Sequence, residues 1–466
     1  MPRKWWTLAA VVAGVFMLVL DILIVNVALA DIGKDFHSSL SDLQWVVDAY
    51  ALALAAGLLT GGSLADLWGR RKLYAVGLAV FTIGSLLCGL ATGPLFLALA
   101  RAGQGIGGAI VWATSLALLG DAFRGKDRGL AFGIYGAVLG IGAAAGPLLG
   151  GVITSGISWR WIFFVNVPIG IATIVVTLVK LSESRNPAAA RPDWAGFVTF
   201  TGFLGPLVYG LISSAHGWDR PDVYLSLIAS VVFLVGFLVI EARRRHPMLD
   251  LALFRKPTFN GGLIAAFGLN ASIYALFTFV VLYLQQQLGY SAVQAGLRSL
   301  ALTAAMSVAS TIAGRLTTVV PVRAMITGGF VLVGTGILLM TGLNSASSWT
   351  RLVPGLIVAG LGVGLVTVPL ASTAVGVVDR SMAGMASGAN ATARQIGLAA
   401  GIAVLGSIFT QASRTGFTNG FNVILLIGGI LAYACAVFSV VLIRRRDFVP
   451  LPAPQPNPAP AAQVDA

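Results

Sequence analysis

The chain has 466 residues, of which 57% are hydrophobic and 10% charged, with 57 glycines and a formal net charge of +13. Soluble proteins place about a quarter of their residues in Asp, Glu, Lys and Arg, so this composition excludes a soluble multidomain enzyme as well as a disordered or fibrous chain.

Apolar blocks follow one another between short polar connections, each block about 20 residues long, the length at which a helix crosses a bilayer. They are expected near 6–30, 44–64, 74–93, 95–119, 130–155, 162–179, 194–215, 223–241, 259–287, 293–314, 324–343, 352–377, 382–411 and 421–443. The fold class is therefore an all-α membrane protein. With the N-terminus inside, the ends and alternate loops collect the basic residues, among them Arg70-Arg71-Lys72, Arg243-Arg244-Arg245 and Arg444-Arg445-Arg446. Lys34, Arg160, Arg220, Arg351 and Arg414 fall on the opposite side, and Arg101, Arg298 and Arg394 fall inside blocks. This asymmetry predicts cytoplasmic termini, and it assigns the basicity to topology and not to nucleic acid.

The first block is too long for a cleaved signal and is expected to stay as a spanner. The connection from Glu241 to Asn260 carries Leu251-Ala252-Leu253-Phe254, a pattern suited to a short interfacial helix. The stretch 448–466 is rich in Pro and Ala and reads as a disordered tail. Gly62-Ser63-Leu64, Arg71 and Gly77 recur as Gly314-Arg315-Leu316, Arg323 and Gly329. That echo predicts two six-helix halves, 1–182 and 246–447, with two inserted spanners in 183–245.

Cys88 and Cys435 lie in separate apolar blocks, and His37, His216 and His246 in separate loops, so neither a disulfide framework nor a metal site is expected. There is no Walker sequence, and Gly103-Gln104-Gly105-Ile106-Gly107-Gly108, which loosely mimics a dinucleotide turn, lies inside a spanner. No cofactor and no enzymatic activity are expected.

The loop after the second block reads Gly62-Ser63-Leu64-Ala65-Asp66-Leu67-Trp68-Gly69-Arg70-Arg71-Lys72, with tight glycines, one acid and three bases. It resembles the signature loop of the major facilitator superfamily, which implies that Gly62, Asp66, Gly69, Arg70 and Arg71 govern the conformational switch. Gly140, Gly142, Gly146-Pro147 and Gly150-Gly151 permit close helix approach, and the proline favours a kink. Their order resembles the antiporter motif of exporters in that superfamily. Asp21-Ile22-Leu23-Ile24-Val25-Asn26-Val27-Ala28-Leu29 and Trp159 through Gly170 are similar to stretches of its fourteen-spanner drug:proton antiporter family, as are Ala386-Ser387-Gly388 and Arg394-Gln395-Ile396-Gly397. The resemblance runs from about Leu20 to Phe409. It departs at Leu23, where Thr is frequent, at Ala30, Trp112 and Ala301, where Pro is frequent, and at Thr318, which takes the place of Asp66 in the second half.

Carboxylates inside a membrane are rare and need a reason. Asp21 and Asp48 are the two present, and both are candidates to carry a proton. Arg101 lies at a depth comparable with Asp21 and shares a helical face with Gln104, Gly108 and Trp112, a face unsuited to lipid. The resemblance ties Arg101 to proton transfer. Asn390 and Arg394 share a face with Ser387, and with Asn26, Tyr50, Gln104, Trp112 and Tyr274 they are expected to line a substrate cavity. Each of these groups would equally serve helix packing. Trp5, Trp6, Trp45, Trp159 and Trp161 are expected in the interfacial belts.

The expected function is proton-coupled export of small hydrophobic or amphipathic compounds, such as drugs or antibiotics, by alternating access. The proton gradient would drive it, and the partners would be substrate, protons and lipid bilayer, with the chain a monomer. Arginine-rich, alanine- and glycine-rich composition suggests a GC-rich bacterial genome and hence the cytoplasmic membrane. Export of lipid-like molecules, metabolites or siderophores, and a non-transporting sensor on the same fold, stay open as alternatives.

Overall fold

The computed structural model describes residues 2–448 apart from 39, 185–192, 215–216, 245–246, 318, 345 and 380–381. His216, Arg245, His246, Thr318 and the tail beyond Phe448 lie outside the described residues, as do the side chains of Asn26, Ala30 and Pro147.

Helices α1 (Arg3–Phe36), α2 (Leu40–Trp68), α3 (Arg70–Gly89), α4 (Pro94–Ala122) and α5 (Gly125–Gly156) come first. The short α6 (Trp161–Phe164) leads into α7 (Asn166–Lys180), and α8 (Trp194–Ser213) and α9 (Pro221–Arg243) follow. Then α10 (Pro257–Leu269) and α11 (Ala275–Leu282) are joined by a π-helical turn, Asn270–Tyr274. The series ends with α12 (Ala292–Leu316), α13 (Val322–Leu339), α14 (Val353–Ala374), α15 (Ala383–Ala412) and α16 (Phe417–Leu442). Among the described residues fourteen spans are long and apolar enough to cross a membrane, and each expected block falls on one of them. No strand occurs among the described residues. The helix ends run past the apolar blocks. α1 continues through Asp31 and Lys34 to Phe36, where His37 adopts a left-handed conformation (φ 50°) and its N–H bonds the Gly33 carbonyl. Asp21 thus sits near the middle of α1.

α1 to α7 pack on one another, α10 to α16 likewise, and the two groups meet where α2 lies against α15 and α5 against α12. Both contacts depend on glycine. A Cβ on Gly62 would run into the Gly384 carbonyl oxygen, and one on Gly129 into that of Gly314. The recurring Gly77 and Gly329 also occupy matching places, since a Cβ on either would meet a glycine carbonyl of the next helix, Gly107 or Gly362. α8 packs on α2, α15 and α9. α9 exposes Leu225, Ile228, Val231, Val232 and Val235, a surface that suits lipid. The segment around Leu251-Ala252-Leu253 is a 3₁₀ turn capped by Asp250, and Met248, Leu249 and Leu253 are buried against Leu59 and Phe200.

Candidate functional site

Asp21 is fully buried and binds three donors from two other helices. Arg101 Nη1 of α4 lies 2.5 Å from Asp21 Oδ2, while Gln104 Nε2, one turn on, donates to Oδ1 at 2.8 Å. Asn166 Nδ2 of α7 donates to the same Oδ1 at 3.1 Å and to Ser85 Oγ of α3 at 3.1 Å. Arg101 has further partners. Its Nη1 also donates to Gln104 Oε1 at 2.7 Å, its Nε donates to the Val46 carbonyl at 3.2 Å, and its guanidinium lies 4.1 Å from the centre of the Tyr50 ring. A side chain on Gly84 would strike the Gln104 backbone, so the bareness of α3 there brings α4 to its partners.

The sequence expectation that Asp21 and Arg101 lie at one depth is met as a contact. Gln104 and Tyr50, expected on a cavity wall, lie against this pair. Asp48 is half-buried and is not among the described partners of Asp21. Asn166 and Ser85 were missed. The signal for Asn166 was present, as a carboxamide inside an apolar block, but nothing in a helical spacing links residues on different helices.

Gly142, Gly146 and Gly150 of α5 press on Val19, Leu23 and Ile24 of α1, the turns that flank Asp21, while Gly140 and Gly151 face Ser307 and Val293 of α12. α5 is thus wedged between the acid-bearing helix and the other half.

At the end where α2 gives way to α3, Asp66 holds Arg70 through Nε (3.1 Å) and Nη2 (2.8 Å), and its oxygens also accept the backbone N–H groups of Gly384 (3.1 Å) and Met385 (3.0 Å). One carboxylate of the first half therefore caps α15 of the second, where the helix dipole favours negative charge. Gly69 turns with φ 105°, and Glu183, which the sequence did not single out, accepts the N–H groups of Arg71 (3.0 Å) and Lys72 (3.3 Å). At the opposite end Asp35 accepts from Arg160 Nη1 (2.7 Å) and Trp159 Nε1 (3.1 Å), and the Arg160 hydrogen bond is the main reason its carboxyl is held below the usual carboxylate range. Trp159, expected in an interfacial belt, is buried in that contact with its indole N–H bonded to Asp35.

In the second half Asn390 (1% exposed) accepts from Arg394 Nε at 3.1 Å, as their spacing predicts. The charge of Arg394 acts on Tyr135 of α5 and on Tyr274, which sits in the π-helical turn between α10 and α11. Such turns are frequent at functional sites. Tyr274 Oη lies 3.6 Å from Met306 Sδ of α12, and Trp112 is half-buried against the core. Tyr135, unremarkable in sequence, brings α5 to this group.

Two bundles facing each other across small-residue contacts, with ionic groups held inside, define a membrane transporter. Residues 11–402 match the Major Facilitator Superfamily. The chain is 38% identical over 404 residues to the multidrug resistance protein Stp of Mycobacterium tuberculosis, which covers 86% of this chain and 75% of Stp. It is 34% identical over 416 residues to the tetracenomycin C resistance and export protein of Streptomyces glaucescens, covering 89% of this chain and 77% of that protein. In fold it is similar to the proton:xylose symporter XylE, with a TM-score of 0.69, 12% identity and coverage of 95% of this chain and 96% of that one. The chain belongs to the Major Facilitator Superfamily, among its fourteen-spanner multidrug efflux transporters.

Proposed function

We propose that this transporter exports small amphipathic compounds in exchange for protons, across a bacterial cytoplasmic membrane and with both termini inside. The observation that carries the reading is the fully buried Asp21, both of whose oxygens are bonded. An ionised carboxylate only accepts, whereas a protonated one has a donor of its own. Protonating Asp21 therefore removes the charge that balances Arg101 and turns its charge-assisted hydrogen bonds into weaker neutral ones, which loosens α1 from α4 and α7. Through the glycines of α5, that change reaches α12 and the contact between the halves. The Asp66 cap on α15 holds one end shut, and its release opens the path from that side. The names of Stp and the tetracenomycin C protein support drugs or antibiotics as the cargo.

A second reading, export of lipid-like molecules, is favoured by one feature. An apolar groove of about 520 Å³ lies between α2, α8 and α9, lined by Leu52, Ala53, Ala56, Pro206 and Ala229.

The test is flux in proteoliposomes with a pH gradient, acid on the Asp35 side, using tetracenomycin C, ethidium and dansylglycine as cargo. Gradient-driven flux of at least one compound, lost in Asp21→Asn, is the expected result. Full gradient-driven flux in Asp21→Asn would overturn the proton role.

A further inference from the structure

In the second half, Arg394 is a buried cation that forms no ion pair among the described residues. Between Asp250 and Asp447 the sequence contains one acid, Asp379, in the connection before α15, so no span of that half carries a carboxylate. Yet Arg394 sits mid-way along α15 at 8% exposure. Its Nε is satisfied by Asn390, but its Nη2 is buried without a hydrogen-bond partner, and no carboxylate forms an ion pair with it among the described residues. Ser387 Oγ, on the same face of α15, is also buried without a hydrogen-bond partner, and the buried Thr367 hydroxyl of α14 lies beside Tyr274. The tyrosines within reach of its charge, Tyr135 and Tyr274, are neutral phenols from opposite halves. Of the intramembrane acids in the first half, Asp21 is already bound to Arg101.

An uncompensated buried cation is unfavourable, and structures keep one where a ligand supplies the missing charge. A guanidinium matches the two oxygens of a carboxylate or sulfonate in a fixed fork. We propose that Arg394 anchors an anionic group on the exported compound, with Asn390 holding the guanidinium, Ser387 and Thr367 offering hydroxyls, and Tyr135 and Tyr274 offering ring faces to the apolar remainder. The cargo class is then the amphipathic anion and not the lipophilic cation. This rests on the export reading, which supplies the reason for a ligand at the centre of the bundle.

The experiment is equilibrium binding, without any gradient, to the full chain in lipid nanodiscs. Three dansyl probes of one size are compared: dansylglycine (anion), its amide (neutral) and dansyl-ethylenediamine (cation). Dansylglycine is expected to bind about ten-fold or more tightly than the other two, that margin being lost in Arg394→Gln and partly kept in Arg394→Lys. Thermal unfolding of each variant confirms that it is folded. Equal binding of the three probes by wild type, or an unchanged preference in folded Arg394→Gln, overturns the proposal. Competition by chloride or sulfate as strong as by dansylglycine would also overturn it, because the site would then hold inorganic anions. Binding through Arg394 with no gradient-driven flux of any cargo would sink the export reading and leave the anion site standing. Flux of ethidium with no dansylglycine preference would do the reverse.

Discussion

Arg101 and Arg394 are the same residue type, both buried within a long helix, yet their surroundings are opposite. Arg101 has a carboxylate, a carboxamide oxygen, a backbone carbonyl and an aromatic face. Arg394 has one carboxamide oxygen. The first is an internal circuit whose charge closes within the protein, so a proton is the natural thing to disturb it. The second is open, so it is completed from outside. The two halves of a repeated fold have thus come to hold different chemistry.

The largest expected effect breaks the closed circuit. Arg101→Met alone should destabilise the protein by about 3–5 kcal/mol, because it leaves the Asp21 carboxylate buried without its cation, whereas Arg101→Met with Asp21→Leu should recover most of that loss. Thermal unfolding in detergent reads both, and neither variant should show gradient-driven flux. Arg394→Met sharpens the contrast, since it removes a charge that has no partner. Its stability should stay unchanged or rise by about 1–3 kcal/mol, and a fall as large as that of Arg101→Met would show that the two sites are alike.

A smaller effect, about 1–3 kcal/mol, is expected for Gly384→Ala, whose added carbon meets the Gly62 carbonyl and Asp66. It should part α2 from α15, measured as faster maleimide labelling of Ser63→Cys from the Asp66 end than in a Ser63→Cys control. The smallest effect belongs to a third arginine–acid pair, the partly exposed Asp35 and Arg160. Asp35→Asn should cost no more than about 1 kcal/mol. Because the folded carboxyl is held below its ordinary value, that contribution is present at neutral pH and fades only as the pH falls below about 4. A pH titration of thermal stability, wild type against variant, checks it.

Much of this architecture was legible because a bilayer makes length and polarity speak plainly. Fourteen apolar blocks gave fourteen spans, and a lone Asp or Arg within a block marked a group with internal work. The Asp21–Arg101 pair followed from matched depth, and Asn390–Arg394 from one helical turn. The rest needed the third dimension. Asn166, Ser85 and Tyr135 become visible only when α7, α3 and α5 pack beside their partners. Glu183 looked like one more loop charge until its carboxylate met the N-terminus of α3. Gln104 shows what a face argument leaves open, since a polar face identifies what avoids lipid and only the packing of α1 on α4 adds the acid it meets.

The division of labour is tested most directly by comparing gradient-driven flux with gradient-free counterflow of one transported compound, in Asp21→Asn and Arg394→Gln. Asp21→Asn should lose gradient-driven flux and keep counterflow within a few-fold of wild type, while Arg394→Gln should lose both. If both variants lose counterflow equally, or both keep gradient-driven flux, the proton and the cargo are not handled at separate arginines.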